Sequence, residues 1–210
     1  MESYSFKKYQ PASIRIWHWL NALAIFGLLG TTLLRKTFLS WRANSAFIQS
    51  QLSEQGIEIS SDLARNIAVG IRNPMWDWHI YFGISLSILL IGRILAAFFI
   101  RDKTDSLGTH FRNFKNETKD RAQTLHKLSV KALYVVFYLM AGLMVVSGLI
   151  LTFKEEFGFE KALTGPVKEI HELSMWFFVG FVALHILGVV VAELTKGRGI
   201  VSDMIHGGDK

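Results

Sequence analysis

The sequence predicts an all-α membrane protein, a four-transmembrane-helix bundle formed as one membrane-integral domain over residues 1–210. Three observations predict it. Half of the residues are apolar, and the mean hydropathy is positive. Those residues gather into four nearly unbroken runs of about 20, the length that spans a bilayer as a helix. Cysteine is absent, which excludes disulfides, thiolate-held clusters and covalent cofactor attachment through C-x-x-C-H.

The first run is Ile16–Leu34 and predicts a helix over 16–34. It begins too far in, runs too long and lacks a small-residue cleavage site, so it reads as a span rather than a cleavable signal peptide. Residues 35–78 are the longest connection, and connections of that length usually carry function or structure of their own. Within it, Ser45–Ile71 mixes apolar and charged residues at helical spacing, and Ser60, Ser61 and Asp62 can cap a second short helix. Two readings of this loop stay open: an amphipathic cover on the membrane surface, or a docking surface for a partner. Asn73-Pro74-Met75-Trp76-Asp77-Trp78 reads as a turn followed by an interfacial aromatic anchor.

The second run, Ile80–Ile100, is interrupted only by Arg93 and predicts a helix over 79–100. Arg101–Gln123 is polar and densely charged; its Asn116-Glu117-Thr118 matches the glycosylation acceptor pattern but reads as a coincidence on the cytoplasmic side. The third run, Leu128–Phe153, predicts a helix over 126–153, and the fourth, Leu173–Leu194, a helix over 170–194. Pro166 sits just before the fourth helix, where a proline is well tolerated.

The formal net charge of +6 follows the topology, and nucleic acid is discounted as a partner. Residues 1–15, 101–127 and 195–210 hold 13 Lys and Arg, against 8 in residues 35–78 and 154–169, a similar total length. The positive-inside rule then places both termini and the middle loop in the cytoplasm and residues 35–78 outside it, N-in and C-in. Arg35 and Lys36 run against this bias.

Four histidines stand on or at the edge of the apolar runs: His18, His79, His171 and His185. Histidine is costly in hydrocarbon and needs a strong partner there. Fourteen residues separate His171 from His185, nearly a whole number of turns of about 3.6 residues, so both rings point to one side about 21 Å apart along the axis. Antiparallel threading puts His18 and His185 near the cytoplasmic face and His79 and His171 near the outer face. The depths match in two pairs. Iron in a b-type haem can take one imidazole from each of two facing helices. The pattern therefore predicts two haems b between helices, His18/His185 on the cytoplasmic side and His79/His171 on the outer side.

Flat macrocycles need room, which Gly27, Gly30, Gly83, Gly92, Gly142, Gly148, Gly180 and Gly188 can give, although ordinary close helix packing uses the same residues. Arg93, fourteen residues beyond His79, lies on the same face at the inner depth; it can meet a haem propionate or snorkel to the headgroups. Hydrogen-bonded membrane histidines are one rival reading. A proton or metal transporter is another, but its ligands would meet at one depth with carboxylates, and the runs offer only Glu193. Haem binding wins. His126, with Lys127 and Ser129, stands at the cytoplasmic entry to the third helix. It could hydrogen-bond a quinone carbonyl and pass a proton, or be an interfacial histidine beside Lys127 and Lys131. His110 and His206 read as solvated.

These residues resemble the bacterial cytochrome b561 superfamily, which includes the b-type subunits of nickel–iron hydrogenases and the gamma subunits of respiratory formate dehydrogenases. The resemblance covers nearly the whole chain. It rests on Arg15-Ile16-Trp17-His18-Trp19, on His79-x-x-x-Gly83 with Arg93, on His171 with His185, and on the tail from Lys196-Gly197-Arg198-Gly199 to His206-Gly207-Gly208. It implies two bis-histidine haems, ligated by His18, His79, His171 and His185, in a multi-pass protein of the bacterial inner membrane. Electrons would pass between a periplasmic redox partner, such as a dehydrogenase or hydrogenase subunit, and membrane quinone. The gamma subunits place quinone with an asparagine and a glutamine at the start of helix three, which Lys127, Ser129 and Lys131 do not reproduce. The loop before His79 is longer than in compact members, which implies a different outside partner. A stand-alone superoxide:quinone oxidoreductase is the rival within the group, favoured by a basic pocket built with Arg72 or Lys168.

Overall fold

The computed structural model describes residues 11–99, 121–195 and 198–208, with side chains outside 97–131. Among the described residues the chain is all-helical. Helix α1 spans Ala12–Lys36, α2 Trp41–Ser53, α3 Ser61–Arg72, α4 Pro74–Phe99, α5 Arg121–Thr152, α6 Lys161–Leu194 and α7 Ile200–His206. Among the described residues four segments are long and apolar enough to cross a membrane: Ala12–Lys36, Ser61–Ala96, Ala132–Thr152 and Lys161–Leu194. The chain falls into two compact units, Met1–Leu86 with Met175–Lys210, and Ser87–Ser174.

Burial is the reverse of a soluble core. Many of the buried residues are small or carry hydroxyls, Ala24, Thr31, Ala141, Ser147 and Ser174 among them, beside a few larger ones such as Leu86, Leu90, Met175 and Phe178; among the described residues no large side chain is completely enclosed. Large apolar side chains point outward instead, with Leu23 64 % and Leu184 71 % exposed. In hydrocarbon, leucine gains nothing by leaving the lipid, so close approach of small residues decides the packing. The buried polar groups bond their own helix: Asn21 Nδ2 donates to the Trp17 carbonyl at 2.7 Å, and Ser147 Oγ to the Leu143 carbonyl at 2.6 Å.

Within the first unit, α1 and α4 form an antiparallel ladder. Arg35 Nη1 donates to the Arg72 carbonyl at 3.0 Å, and the Arg35 guanidinium lies 5.0 Å over Trp76. One turn back, Thr31 Oγ1 is 3.0 Å from His79 Nδ1. A further turn back, Gly27 meets Phe82 so closely that a Cβ there would lie 2.6 Å from the ring.

The helix ends differ from the sequence expectation. The fourth span begins at Lys161 rather than 170, so Pro166 lies inside α6, not before it. There, in the second turn, it removes one backbone hydrogen bond of the helix. The second span begins at Pro74 rather than 79, so the turn-and-anchor segment is helical. Proline at the first helical position loses nothing. The third begins at Arg121 rather than 126, and the first runs from 12 to 36 rather than 16 to 34. Charged residues extend all four, because a helix need not stop where the bilayer does.

Residues 35–78 hold two helices, α2 and α3, packed against each other. Ser60 caps α3 as expected, accepting from the Leu63 N–H at 3.2 Å. Ala64 and Ala68 on α3 are wholly buried, and the guanidiniums of Arg42 and Arg65 lie 4.7 and 4.9 Å from the Trp41 ring. A single residue, Asn73, joins α3 to α4, and its dihedrals are helical (φ −59°, ψ −39°).

Candidate functional site

His18 near the start of α1 and His185 near the end of α6 come together in the first unit. Their ring centroids are 6.2 Å apart, with the planes tilted by 52°. Phe181, one turn before His185, stacks on it at 6.1 Å with planes 1° apart, and Trp19 sits edge-on to His18 at 5.3 Å. His18 Nδ1 is buried with no hydrogen-bond partner among the described residues.

The C-terminal segment closes over this end of α1. Arg15 Nη1 donates to the Ile205 carbonyl, and Trp19 Nε1 donates to the Met204 carbonyl at 3.1 Å. Gly199 and Gly207 bracket α7 in the left-handed region, at φ +94° and +106°, which favours glycine at both. A Cβ on Gly207 would lie 3.3 Å from Arg15 Cζ. Glu193 accepts from the Gly199 and Val201 N–H groups at 2.9 and 3.3 Å. The carboxylate nearest the apolar runs is thus engaged as a cap on α7. Arg15 and Trp19, read from sequence as part of the motif around His18, prove to be the clasp on the tail. An apolar groove of about 410 Å³ lies along the same helix, lined by Ile16, Leu20, Leu23 and Ile205 together with Arg15.

His79 lies in the first unit and His171 in the second, and each has its own surroundings. His79 Nδ1 is 3.0 Å from Thr31 Oγ1 and 3.3 Å from Thr32 Oγ1. Trp76, three residues earlier on the helix, stacks on it at 4.9 Å with planes 2° apart. His171 Nδ1 is 2.8 Å from Ser147 Oγ on α5. A Cβ on Gly148 would lie 3.3 Å from His171 Cε1, so the missing side chain there gives the imidazole its space. A Cβ at Gly30, Gly142, Gly180 or Gly188 would meet nothing within 4 Å.

Arg93 is half-buried on α4. The side chains of His126, Lys127, Ser129 and Lys131 lie outside the described residues, as do His110 and the Asn116-Glu117-Thr118 sequence. Sequence reasoning missed Thr31, Thr32 and Ser147. It read Trp76 only as an interfacial anchor, although its place three residues before His79 puts both on one face of a helix.

Two imidazoles brought together on apolar helices of membrane-spanning length are the donor set of a membrane cytochrome b. The sequence profile of the family described as prokaryotic cytochrome b561 matches residues 9–207. The chain belongs to that family: it is a multi-pass membrane cytochrome b of electron transfer, and the family is one of b-type haem proteins. It is similar to a protein of Cupriavidus necator (strain H16) described as "Probable Ni/Fe-hydrogenase B-type cytochrome subunit". The two are 25 % identical over 225 residues, covering 93 % of this chain and 84 % of the relative. No solved structure matches.

Proposed function

We propose that the protein holds two b haems and carries electrons across the bilayer between a redox partner outside the cytoplasm and the quinone pool. His18 and His185 ligate one haem, and His79 and His171 the other. The 6.2 Å between the His18 and His185 ring centroids carries the reading. A metal–imidazole bond is about 2 Å long at zinc, so rings at this separation would lie within reach of a single metal held between them. The donor set agrees. Among the described residues no group of three or more His, Cys, Asp or Glu could hold a metal ion, so a paired site calls for a metal whose other ligands come from a macrocycle. This weighs against a metal transporter.

When bound, the haem iron supplies a one-electron change between ferric and ferrous states. The chain's own residues supply the rest. The histidines hold and orient, Arg93 offers a cation to a propionate, and the lipid-facing spans exclude water. His126, with Lys127 and Ser129, hydrogen-bonds the quinone carbonyl and passes its proton; the apolar groove along α1 supports an apolar ligand at the His18 end. The distribution of Lys and Arg supports N-in and C-in.

The relative's description supports a hydrogenase-type partner, and the α2–α3 pair is the surface offered to it. A flat cover on the membrane would need a sharp bend between α3 and α4, whereas the one residue joining them is helical. Leu63, Ile67 and Ile71, one turn apart along α3, are all exposed.

The visible spectrum of the purified protein, with a pyridine haemochrome assay, tests the core of this. Two b haems per chain are expected, and their absence would sink the reading. For quinone, His126→Ala is expected to weaken binding of a quinone analogue.

One observation favours a second reading, a stand-alone superoxide:quinone oxidoreductase. Arg72 Nε is buried without a hydrogen-bond partner among the described residues, and Arg35 lies over Trp76, which stacks on His79. Two guanidiniums thus gather at the His79 end of α4, as a small anion would require. Lys168, in the second unit, pairs with Glu172 at 3.7 Å. Superoxide-dependent quinone reduction by the isolated chain would establish this reading, and a stable complex with a soluble redox subunit would displace it.

A further inference from the structure

We propose that Ser147 and Thr31 are positioning residues. They fix His171 and His79 in the tautomer that ligates iron through Nε2, and they lower the potential of the haem that each histidine ligates. The proposal rests on the haem reading above.

The number of protons each group carries decides the direction of these bonds. A serine or threonine hydroxyl has one hydrogen to give and two lone pairs with which to accept. A backbone carbonyl can only accept. Ser147 Oγ lies 2.6 Å from the Leu143 carbonyl and 3.2 Å from that of Met144, so its hydrogen is directed there. Towards His171, 2.8 Å away, the same oxygen has only a lone pair to offer. The bond therefore runs from His171 Nδ1–H to Ser147 Oγ. With the proton on Nδ1, the neutral imidazole carries its metal-binding lone pair on Nε2.

The arrangement recurs at the other histidine. Thr31 Oγ1 donates to the carbonyls of Gly27 and Leu28, at 2.9 and 3.0 Å. Thr32 Oγ1 donates to the Leu28 carbonyl at 3.0 Å. Both oxygens are left to accept from His79 Nδ1, at 3.0 and 3.3 Å. Bonds of a hydroxyl back to its own helix are common in spans. Here they have a second use, because a hydroxyl already donating is polarised into a better acceptor. A ligand that donates from its far nitrogen is more basic towards the metal, which favours the more highly charged ferric state and lowers the potential. His18 offers the contrast, since its Nδ1 has no such partner among the described residues.

The test is a redox titration of the purified haem-loaded protein, following each haem's absorbance. Loss of an outer-shell partner of this kind typically changes metal affinity by ~10–100-fold. A tenfold preference for ferric over ferrous is about 59 mV for a one-electron couple. Ser147→Ala is expected to raise the midpoint of one haem and leave the other unchanged, while Ser147→Thr, which keeps the hydroxyl, stays near wild type. Thr31→Val with Thr32→Val is expected to raise the midpoint of the haem that His79 ligates. If Ser147→Ala does not accumulate, Ser147→Cys, a weaker acceptor of similar shape, is expected to show a smaller shift in the same direction. Unmoved midpoints would overturn the proposal, as would equal shifts of both haems or the same shift in Ser147→Thr. A wild-type protein without haem fails the haem reading itself, whereas two haems with unmoved midpoints fail only this one.

Discussion

The four histidines are held by different means. At the His18 end the rings face each other across 6.2 Å and are held by aromatic neighbours, Phe181 stacked on His185 and Trp19 edge-on to His18. His79 and His171 are each bonded at Nδ1 to a hydroxyl on a neighbouring helix, and His79 has Trp76 stacked on it as well. A stacking contact fixes the plane of an imidazole but leaves both nitrogens equivalent to it. A hydrogen bond fixes the plane, the rotation within it and the proton. The two arrangements therefore differ in how much of the ligand's chemistry the protein has decided before any metal arrives.

The largest effects come from removing the rings themselves. His185→Ala is expected to abolish one haem and leave the other, and His171→Ala to do the converse, each giving about one b haem per chain by pyridine haemochrome. The two residual spectra are expected to differ, because the surviving ligands sit in different surroundings. Identical residual spectra would erase the contrast between the arrangements, and loss of both haems in either variant would show that the two sites fold as one.

How much of this is legible in the sequence follows from which physical signal each feature leaves. The spans are legible because a bilayer demands about 20 apolar residues, whatever the protein does. The histidines are legible because an imidazole in hydrocarbon needs a reason. The helix starts at Pro74 and Lys161 are not, because hydropathy reports the bilayer edge and not where the backbone stops coiling. Ser60 could be foreseen as a cap from its place before Asp62. Thr31 and Ser147 could not. They lie 48 and 24 residues from their histidines, and a hydroxyl in a span is accounted for by its own helix before any other partner is sought.

The next effect sharpens the comparison at His171 alone. Gly148→Ala would place a Cβ 3.3 Å from His171 Cε1, tight enough that ring or helix must shift. Overpacking of this kind costs roughly 1–3 kcal/mol. The haem held by His171 is expected to dissociate at lower temperature, with the other unaffected. Gly142→Ala, where a Cβ meets nothing within 4 Å, is the control expected to match wild type. A smaller effect is expected at the His18 end, from Arg15→Ala combined with Trp19→Phe. The double variant removes two hydrogen bonds to the tail, each of which contributes about 1 kcal/mol. Limited proteolysis near residues 199–206 is expected to quicken, with a spectral change confined to the haem that His185→Ala removes.

The smallest effect comes from outside these surroundings. Ser60 stands in an extended conformation (φ −67°, ψ 151°) and accepts from the Leu63 N–H, with Asp62 in the first turn of α3. Replacing such a cap by alanine costs ~1 kcal/mol, whereas another capping residue largely restores it. Ser60→Ala is expected to open the segment between α2 and α3 to protease, and Ser60→Asp to close it again, with both haem midpoints unmoved in each. The comparison depends on that last outcome. If fraying α3 moved the midpoint of the haem held by His79, the hydroxyls would not be the sole support at that end. The α3–α4 junction, with Arg35 over Trp76 and Trp76 stacked on His79, would then belong to the ligand's setting. An unchanged midpoint leaves the α2–α3 pair as a surface carried by the cytochrome and not a part of its redox centre.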